Sequence, residues 1–365
     1  MPMFYGFKRN ELAGREGTIQ RNFTVHFPAD FVDVVATGPM PVVMLLHGGG
    51  SIGAAFAENE FRLQKLFTKQ WVVFDRTLSD IPNKCILVVP EGTSLDGIGN
   101  NWNSGHLSVT TRAADVDDVA YLFDVLERVE QLLLEWYNGE PLALPPIGVV
   151  LDRTRLMLVG FSNGGQMAFR FAWEIQTPTG SYPSASTWTV TAICVVGTAA
   201  AGWRTDRERT DGLLPFADWT PQSLVSLLWI QGEKDDRYVE WNKLGGAGMP
   251  PGVVNDVEQQ IDLLVKDVED YCRSDVSALT TCSAVALLGA ALSPEVAVPH
   301  KWVTDREGPL VFDGDEWHTD LDGVTDVAVH LYHPTTLGHA WPTPPVTGWD
   351  GTDVVIDFLV RFGGL

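Results

Sequence analysis

The sequence predicts an α/β fold, a mostly parallel sheet covered by helices on both faces. Three observations carry that expectation. Short apolar runs without polar alternation recur along the chain, amphipathic stretches at helical spacing separate them, and several runs end in glycine, acid or histidine clusters. Strands buried on both faces read as unbroken apolar runs because neither side meets water.

Residues 18 to 27 (TIQRNFTVHF) alternate apolar and polar, as a half-exposed strand at a sheet edge does. Met40 to Leu46 (MPVVMLL) is continuous and apolar, so it predicts a buried strand, and it ends in His47-Gly48-Gly49-Gly50. A glycine-rich turn there lets backbone N–H groups face a neighbouring site unobstructed, which an oxyanion hole requires. Residues 53 to 67 read as a helix, and Cys85 to Pro90 (CILVVP) as another buried strand. The loop after it carries Asn100-Asn101-Trp102-Asn103-Ser104-Gly105. Its amides and tryptophan are placed to line a cleft at the strand ends, or alternatively to bond the loop to itself around Trp102 as a hydrophobic plug.

Residues 113 to 137 predict a helix, with Val116, Val119, Leu122, Phe123, Leu126, Val129 and Leu132 along one stripe. Asp115, Asp117 and Asp118 fall near its first turn, where the helix dipole favours carboxylates, and read as structural. Arg155 to Val159 is a buried strand that runs into Gly160-Phe161-Ser162-Asn163-Gly164-Gly165. Met167, Ala168, Phe171 and Ala172 then recur at helical spacing. The pattern G-x-S-x-G needs small residues around the serine because the chain reverses tightly while the helix packs close to the strand. Ser162 is thereby expected on a strained turn at a helix N-terminus, a nucleophile's position.

Val190 to Val196 and Val225 to Ile230 are the next strands, and the second ends in Gln231-Gly232-Glu233-Lys234-Asp235-Asp236. Residues 240 to 325 break the alternation and read as an inserted cap, with a glycine- and proline-rich loop, a helix at about 254 to 272 and a hairpin around Asp313-Gly314. Val327 to Tyr332 resumes the sheet, Gly338-His339-Ala340-Trp341-Pro342 follows, and residues 352 to 362 form a closing helix capped by Thr352 or Asp350. The simplest organisation is one domain over residues 1 to 365 with the cap inside it.

A chain of 365 residues with 45% hydrophobic content has ample burial for a core, and no apolar run approaches the roughly 20 residues that span a bilayer. A net charge of −22 argues against nucleic acid or an anionic membrane as partner, since both are repelled. The first residues lack the apolar core of a secretory leader, so the expected location is the cytoplasm, or outside the cell as a mature form written without its leader. Cys85 and Cys194 lie in apolar runs and are expected to be buried and free. Cys272 and Cys282 are near enough in sequence to close a small loop worth about 2 to 3 kcal/mol if oxidised, and both redox states remain open. His330, His333 and His339 lie close together and Asp313, Asp315, Glu316, Asp320 and Asp322 form an acidic stretch, but neither has the register of a metal site.

Ser162, Asp235 and His339 each leave the carboxyl end of a predicted strand, in the order serine, acid, histidine. That order, with the motifs LLHGGG (45 to 50), NWNSG (101 to 105), VDDVAYL (116 to 122), GFSNGGQMAFR (160 to 170), QGEKDD (231 to 236) and GHAWP (338 to 342), resembles the polyhydroxybutyrate depolymerase and feruloyl esterase group of α/β-hydrolases. The resemblance covers most of the chain. It implies Ser162 as nucleophile, Asp235 as triad acid, His339 as base, and the N–H groups of Gly49 and Asn163 as the oxyanion hole. Trp102, Asn103 and Trp341 are the candidate substrate-binding residues. Trp102, Tyr238, Trp241 and Trp341 lie near the proposed site loops, either to favour aromatic acyl groups or a polymer chain or as ordinary packing. No metal or organic cofactor is implied, and the expected partner is a small or polymeric ester.

The chain departs from the group in two places. Members commonly have a His-Gly pair and a following Asp-Pro where this chain has Gln231-Gly232 and Asp235-Asp236-Arg237, which keeps Asp236 as a second candidate for the acid. The stretch from Asp235 to His339 is also long for the group. A serine exopeptidase is the rival chemistry on the same fold, and a non-catalytic binding protein the rival outside enzymes.

Overall fold

In a computed structural model, which describes residues 2–9, 19–27, 39–66, 71–73, 76–78, 85–93, 100–104, 116–138, 151–176, 187–198, 225–232, 234–235, 314–318, 328–332, 337–347 and 349–365, the apolar runs become one sheet. Its strands are β1 (Pro2–Arg9), β2 (Ile19–His26), β3 (Met40–Leu46), β6 (Ile86–Pro90), β7 (Leu151–Phe161), β8 (Val190–Val196), β9 (Ser226–Ile230), β10 (Gly314–His318) and β11 (Ala328–Tyr332). Across the sheet the order is β1-β2-β6-β3-β7-β8-β9-β11-β10, nine strands. From β6 to β11 every pairing is parallel, while β1, β2 and β10 join antiparallel at the two edges. A separate antiparallel pair links β4 (Trp71–Val73) and β5 (Arg76–Leu78).

Two cores follow from the two-residue period of a strand. In β3, Met40, Val42, Met44 and Leu46 face one core and Val43 and Leu45 the other. Leu156 and Leu158 alternate with Met157 and Val159 in β7 in the same way. The first core is closed by helices α1 (Asp118–Asn138) and α2 (Asn163–Gln176), through residues such as Leu122, Leu126, Phe171 and Ala172. The second is closed by Phe56, Phe61, Trp341 and helix α3 (Gly351–Phe358). Both faces of β3, β6, β7, β8 and β9 are therefore dry, which is why their sequences show no polar alternation.

The elements differ from expectation in three respects. The helix expected over 53 to 67 is broken into Gly53–Ala55, a wide turn at Phe56–Glu60 and a tight one at Leu63–Lys65, with Arg62 in the left-handed region at φ 53° between them. Glu91, at the end of β6, caps its start by accepting from Gly53 N at 2.8 Å and Ala54 N at 3.3 Å. Helix α1 begins at Asp118, with the Asp117 carboxylate accepting from Ala120 N at 2.9 Å. Of the two expected caps of α3 it is Asp350 that serves, accepting from Thr352 N at 3.0 Å. Gly314 does not sit in a hairpin turn but opens β10 opposite Tyr332. The rest of the expected cap, with its helix at 254 to 272 and with Cys272 and Cys282, lies outside the described residues.

Candidate active site

Strand β7 leads into Ser162, whose φ of 52° lies in the left-handed region that non-glycine residues seldom adopt. The surroundings hold it there. Its N–H donates to Val196 O at 2.9 Å, and its carbonyl accepts from Gln166 N at 3.2 Å and from Thr198 Oγ1 at 2.7 Å. The Thr198 carbonyl in turn accepts from the Trp229 indole at 3.1 Å. A Cβ on Gly164 would overlap the Leu46 and His47 carbonyl oxygens, so only glycine lets α2 start this close to β3.

Three side chains from separate strand ends meet in one row. Ser162 Oγ lies 2.9 Å from His339 Nε2, and His339 Nδ1 lies 2.9 Å from Asp235 Oδ2. A carboxylate only accepts, so Nδ1 carries the proton and Nε2 is left to accept from the Ser162 hydroxyl. Asp235 is buried and His339 half-buried. The acid and histidine loops are joined by Lys234 N donating to Leu337 O at 3.0 Å, and the Phe161 ring lies 5.3 Å from the imidazole. Asp236, the other candidate acid, lies outside the described residues.

The glycine-rich turn adjoins the start of α2. A Cβ placed on Gly49 would lie 3.5 Å from Asn163 Cβ, so the two residues are in contact. Neither the Gly49 nor the Asn163 backbone N–H donates to another group among the described residues. His47 organises the turn. It is fully buried, which lowers its pKa, and its Nε2 accepts from Gly92 N at 2.9 Å. Nδ1 therefore holds the proton and donates to Gly48 O at 2.8 Å, fixing the peptide whose other end is the Gly49 N–H. The Glu91 carboxylate 3.8 Å from Nε2 faces a neutral ring.

No family model matches the chain, and no curated protein matches it. Solved structures do. A ferulic acid esterase is 14% identical with a TM-score of 0.39, covering 68% of this chain and 87% of its own. Esterase PE8 is 15% identical with a TM-score of 0.39 over 93% of this chain and 97% of its own. The fluorophosphonate-binding serine hydrolase F of Staphylococcus aureus is 15% identical with a TM-score of 0.37 over 68% and 88%. These are distant likenesses, and what the site can do follows from its own geometry.

That geometry assigns the three candidate substrate-binding residues to the scaffold. Trp102 is buried, its indole donating to His47 O at 2.9 Å, so it supports the glycine turn from beneath as the plug. Asn103 commits its polar atoms internally, its N–H to Asp118, its Nδ2 to Val116 O at 2.8 Å and its carbonyl to Arg170 at 2.6 Å. Trp341 is buried against Phe56, Phe61 and Phe161, with its indole donating to Thr352 Oγ1 at 3.2 Å. A buried amide or indole at a strand end is satisfied by the groups packed around it, here on other segments of the chain.

Sequence reasoning missed Gln166, which bonds the Ser162 carbonyl one helical turn on, and Thr198 and Trp229, which hold the serine turn through contacts distant in sequence. The one available signal was the apolar strand β8 running into Gly197-Thr198. Among the described residues no group of three or more His, Cys, Asp or Glu side chains is gathered to hold a metal, and no helix is long and apolar enough to cross a membrane. The side chains of His330, Asp315 and Glu316, and the residues His333, Asp313, Asp320 and Asp322, fall outside what is described. Cys85 and Cys194 are buried free thiols, and burial pushes Cys85 up to about 12.

Proposed function

We propose that the protein is a serine carboxylic-ester hydrolase of the α/β-hydrolase type, working through an acyl-serine intermediate. The observation that carries this reading is the continuous row Ser162–His339–Asp235, with both links at 2.9 Å, beside two unengaged backbone N–H groups. The strand order, with the serine, acid and histidine following the carboxyl ends of parallel strands β7, β9 and β11, supports it.

A serine hydroxyl is a weak nucleophile until a base takes its proton, and His339 Nε2 is positioned to do so. Asp235 holds the imidazole in the tautomer that leaves Nε2 free and balances the imidazolium that forms. Ser162 Oγ attacks the ester carbonyl, and the Gly49 and Asn163 N–H groups bind the oxyanion, each such donor being worth about 3 kcal/mol of barrier. The imidazolium protonates the leaving alcohol. Water, deprotonated by His339, then cleaves the acyl-serine to release the acid. These steps use the chain's own residues throughout. The favoured substrates are short-chain, hydroxyalkanoate or feruloyl-type esters.

The test is hydrolysis of p-nitrophenyl butyrate, a feruloyl ester, hydroxybutyrate oligomers and an aminoacyl amide, with Ser162→Ala as blank. Serine-dependent turnover of esters and not of the amide is expected, and the fastest ester names the substrate class. Cleavage of the amide alone would replace this reading with a peptidase, and equal rates in the Ser162→Ala protein would remove it.

A further inference from the structure

Gln231 follows directly on β9 and is 1% exposed. Its Nε2 lies 2.9 Å from Asp235 Oδ2, the same oxygen that receives the His339 Nδ1 proton at 2.9 Å. The sense of the amide is fixed by chemistry, because turning it over would set its carbonyl oxygen against a carboxylate oxygen. The consequence is that Oε1 is buried without a hydrogen-bond partner among the described residues. A buried, unsatisfied carbonyl is destabilising, and a leucine of similar size would avoid it. The chain keeps an amide at the one position where its N–H₂ meets the acid.

We infer that Gln231 is a positioning residue for Asp235: two donors converging on Oδ2 fix the rotation of the carboxylate and so the direction in which it holds the His339 ring. This rests on the ester-hydrolase reading above. An amide neither gains nor loses a proton between acid and neutral pH, so the restraint is constant while the histidine cycles. Gln231 touches no substrate. It acts through Asp235 on the alignment of Nε2 with Ser162 Oγ, where a misplacement of about 1 Å costs about a hundredfold in rate.

The experiment compares wild type, Gln231→Leu and Gln231→Glu on p-nitrophenyl butyrate, with folding checked by circular dichroism. Gln231→Leu is expected to lower kcat about ten- to a hundredfold with KM within about twofold, a split that follows from misaligned chemistry and not from lost binding. Gln231→Glu keeps the shape, and its kcat/KM is expected to fall with rising pH as the second carboxyl ionises against Asp235. A folded Gln231→Leu protein with unchanged kcat, or a Gln231→Glu profile matching wild type, overturns the proposal. A second readout is independent of turnover. The proton resonance of His339 Nδ1, assigned by its loss in His339→Asn, is expected to move in Gln231→Leu, and an unmoved resonance overturns the proposal even if wild type hydrolyses no ester and the functional reading fails.

Discussion

The Asn163 side chain bonds both backbone groups of Trp102, accepting from its N–H at 2.7 Å and donating to its carbonyl at 3.1 Å. The same amide nitrogen lies 3.4 Å from Ser104 Oγ and 3.2 Å from Gln166 Oε1. One asparagine thus joins the loop after β6 to the turn that carries Ser162. Only an amide offers an acceptor and a donor in the right places.

Asn163→Asp is therefore expected to be more damaging than Asn163→Ala. The alanine leaves the buried Trp102 N–H unpaired, at a cost of about 1 to 3 kcal/mol, whereas the aspartate adds a charged oxygen facing the Trp102 carbonyl. Urea midpoints of the two proteins decide it, and an Asn163→Asp protein as stable as wild type would show that the amide is not needed.

Gly197→Ala is expected to disturb the site from below. Gly197 has φ 55°, and an added Cβ would lie 3.2 Å from Phe161 Cε2 and 3.5 Å from both Asp235 Oδ2 and His339 Nδ1. The left-handed backbone alone costs an alanine about 1 to 2 kcal/mol. Thermal unfolding should show that loss, and kcat should fall with it. Equal melting temperatures and rates would contradict the reading.

The Arg21–Asp118 ion pair is fully buried at 2.6 Å, with the Arg21 guanidinium also 3.7 Å above the Tyr121 ring. Asp118→Asn leaves the arginine charge buried and is expected to cost about 3 to 5 kcal/mol. A loss below about 1 kcal/mol by chemical denaturation would mean that water reaches Arg21.

Acid should destabilise the protein through two histidines. Burial lowers the pKa of His26 to about 4 and also lowers that of His47, so both are neutral in the folded state near neutral pH. Once unfolded, each binds a proton near pH 6.5, so the unfolded state holds more protons below that value. The contribution of His26 is complete above pH 6.5 and is lost as the pH falls toward 4, and that of His47 is lost in the same direction. His47 alone sets a slope of at most about 1.4 kcal/mol per unit. Urea midpoints at pH 7.5 and 5 should differ in that direction, and His26→Phe should reduce the difference.

The parallel strands were legible because burial on both sides leaves an unbroken apolar run. The expected bounds of β3 and β8, Met40 to Leu46 and Val190 to Val196, are those observed. β1 escaped notice because its sequence, PMFYGFKR, contains a proline and a glycine, both depleted in strands. Ser162, Asp235 and His339 stood out because each follows an apolar run, and the structure brings them into one hydrogen-bonded row. Trp102 and Asn103 show the opposite case. Their chemistry suits a ligand, but the direction of an amide or indole depends on partners such as Asp118 and His47, which local sequence does not reveal.

Thr352 Oγ1 donates to Phe61 O at 2.7 Å and accepts from the Trp341 indole, while Asp350 binds Lys65 beside it. This clasp ties the segment behind the glycine turn to the segment that carries the histidine. In a nascent chain the serine turn emerges long before the clasp does. On the proposed reading the nucleophile is thus made early and completed late, because Ser162 gains its His339 partner only once that residue has been synthesised.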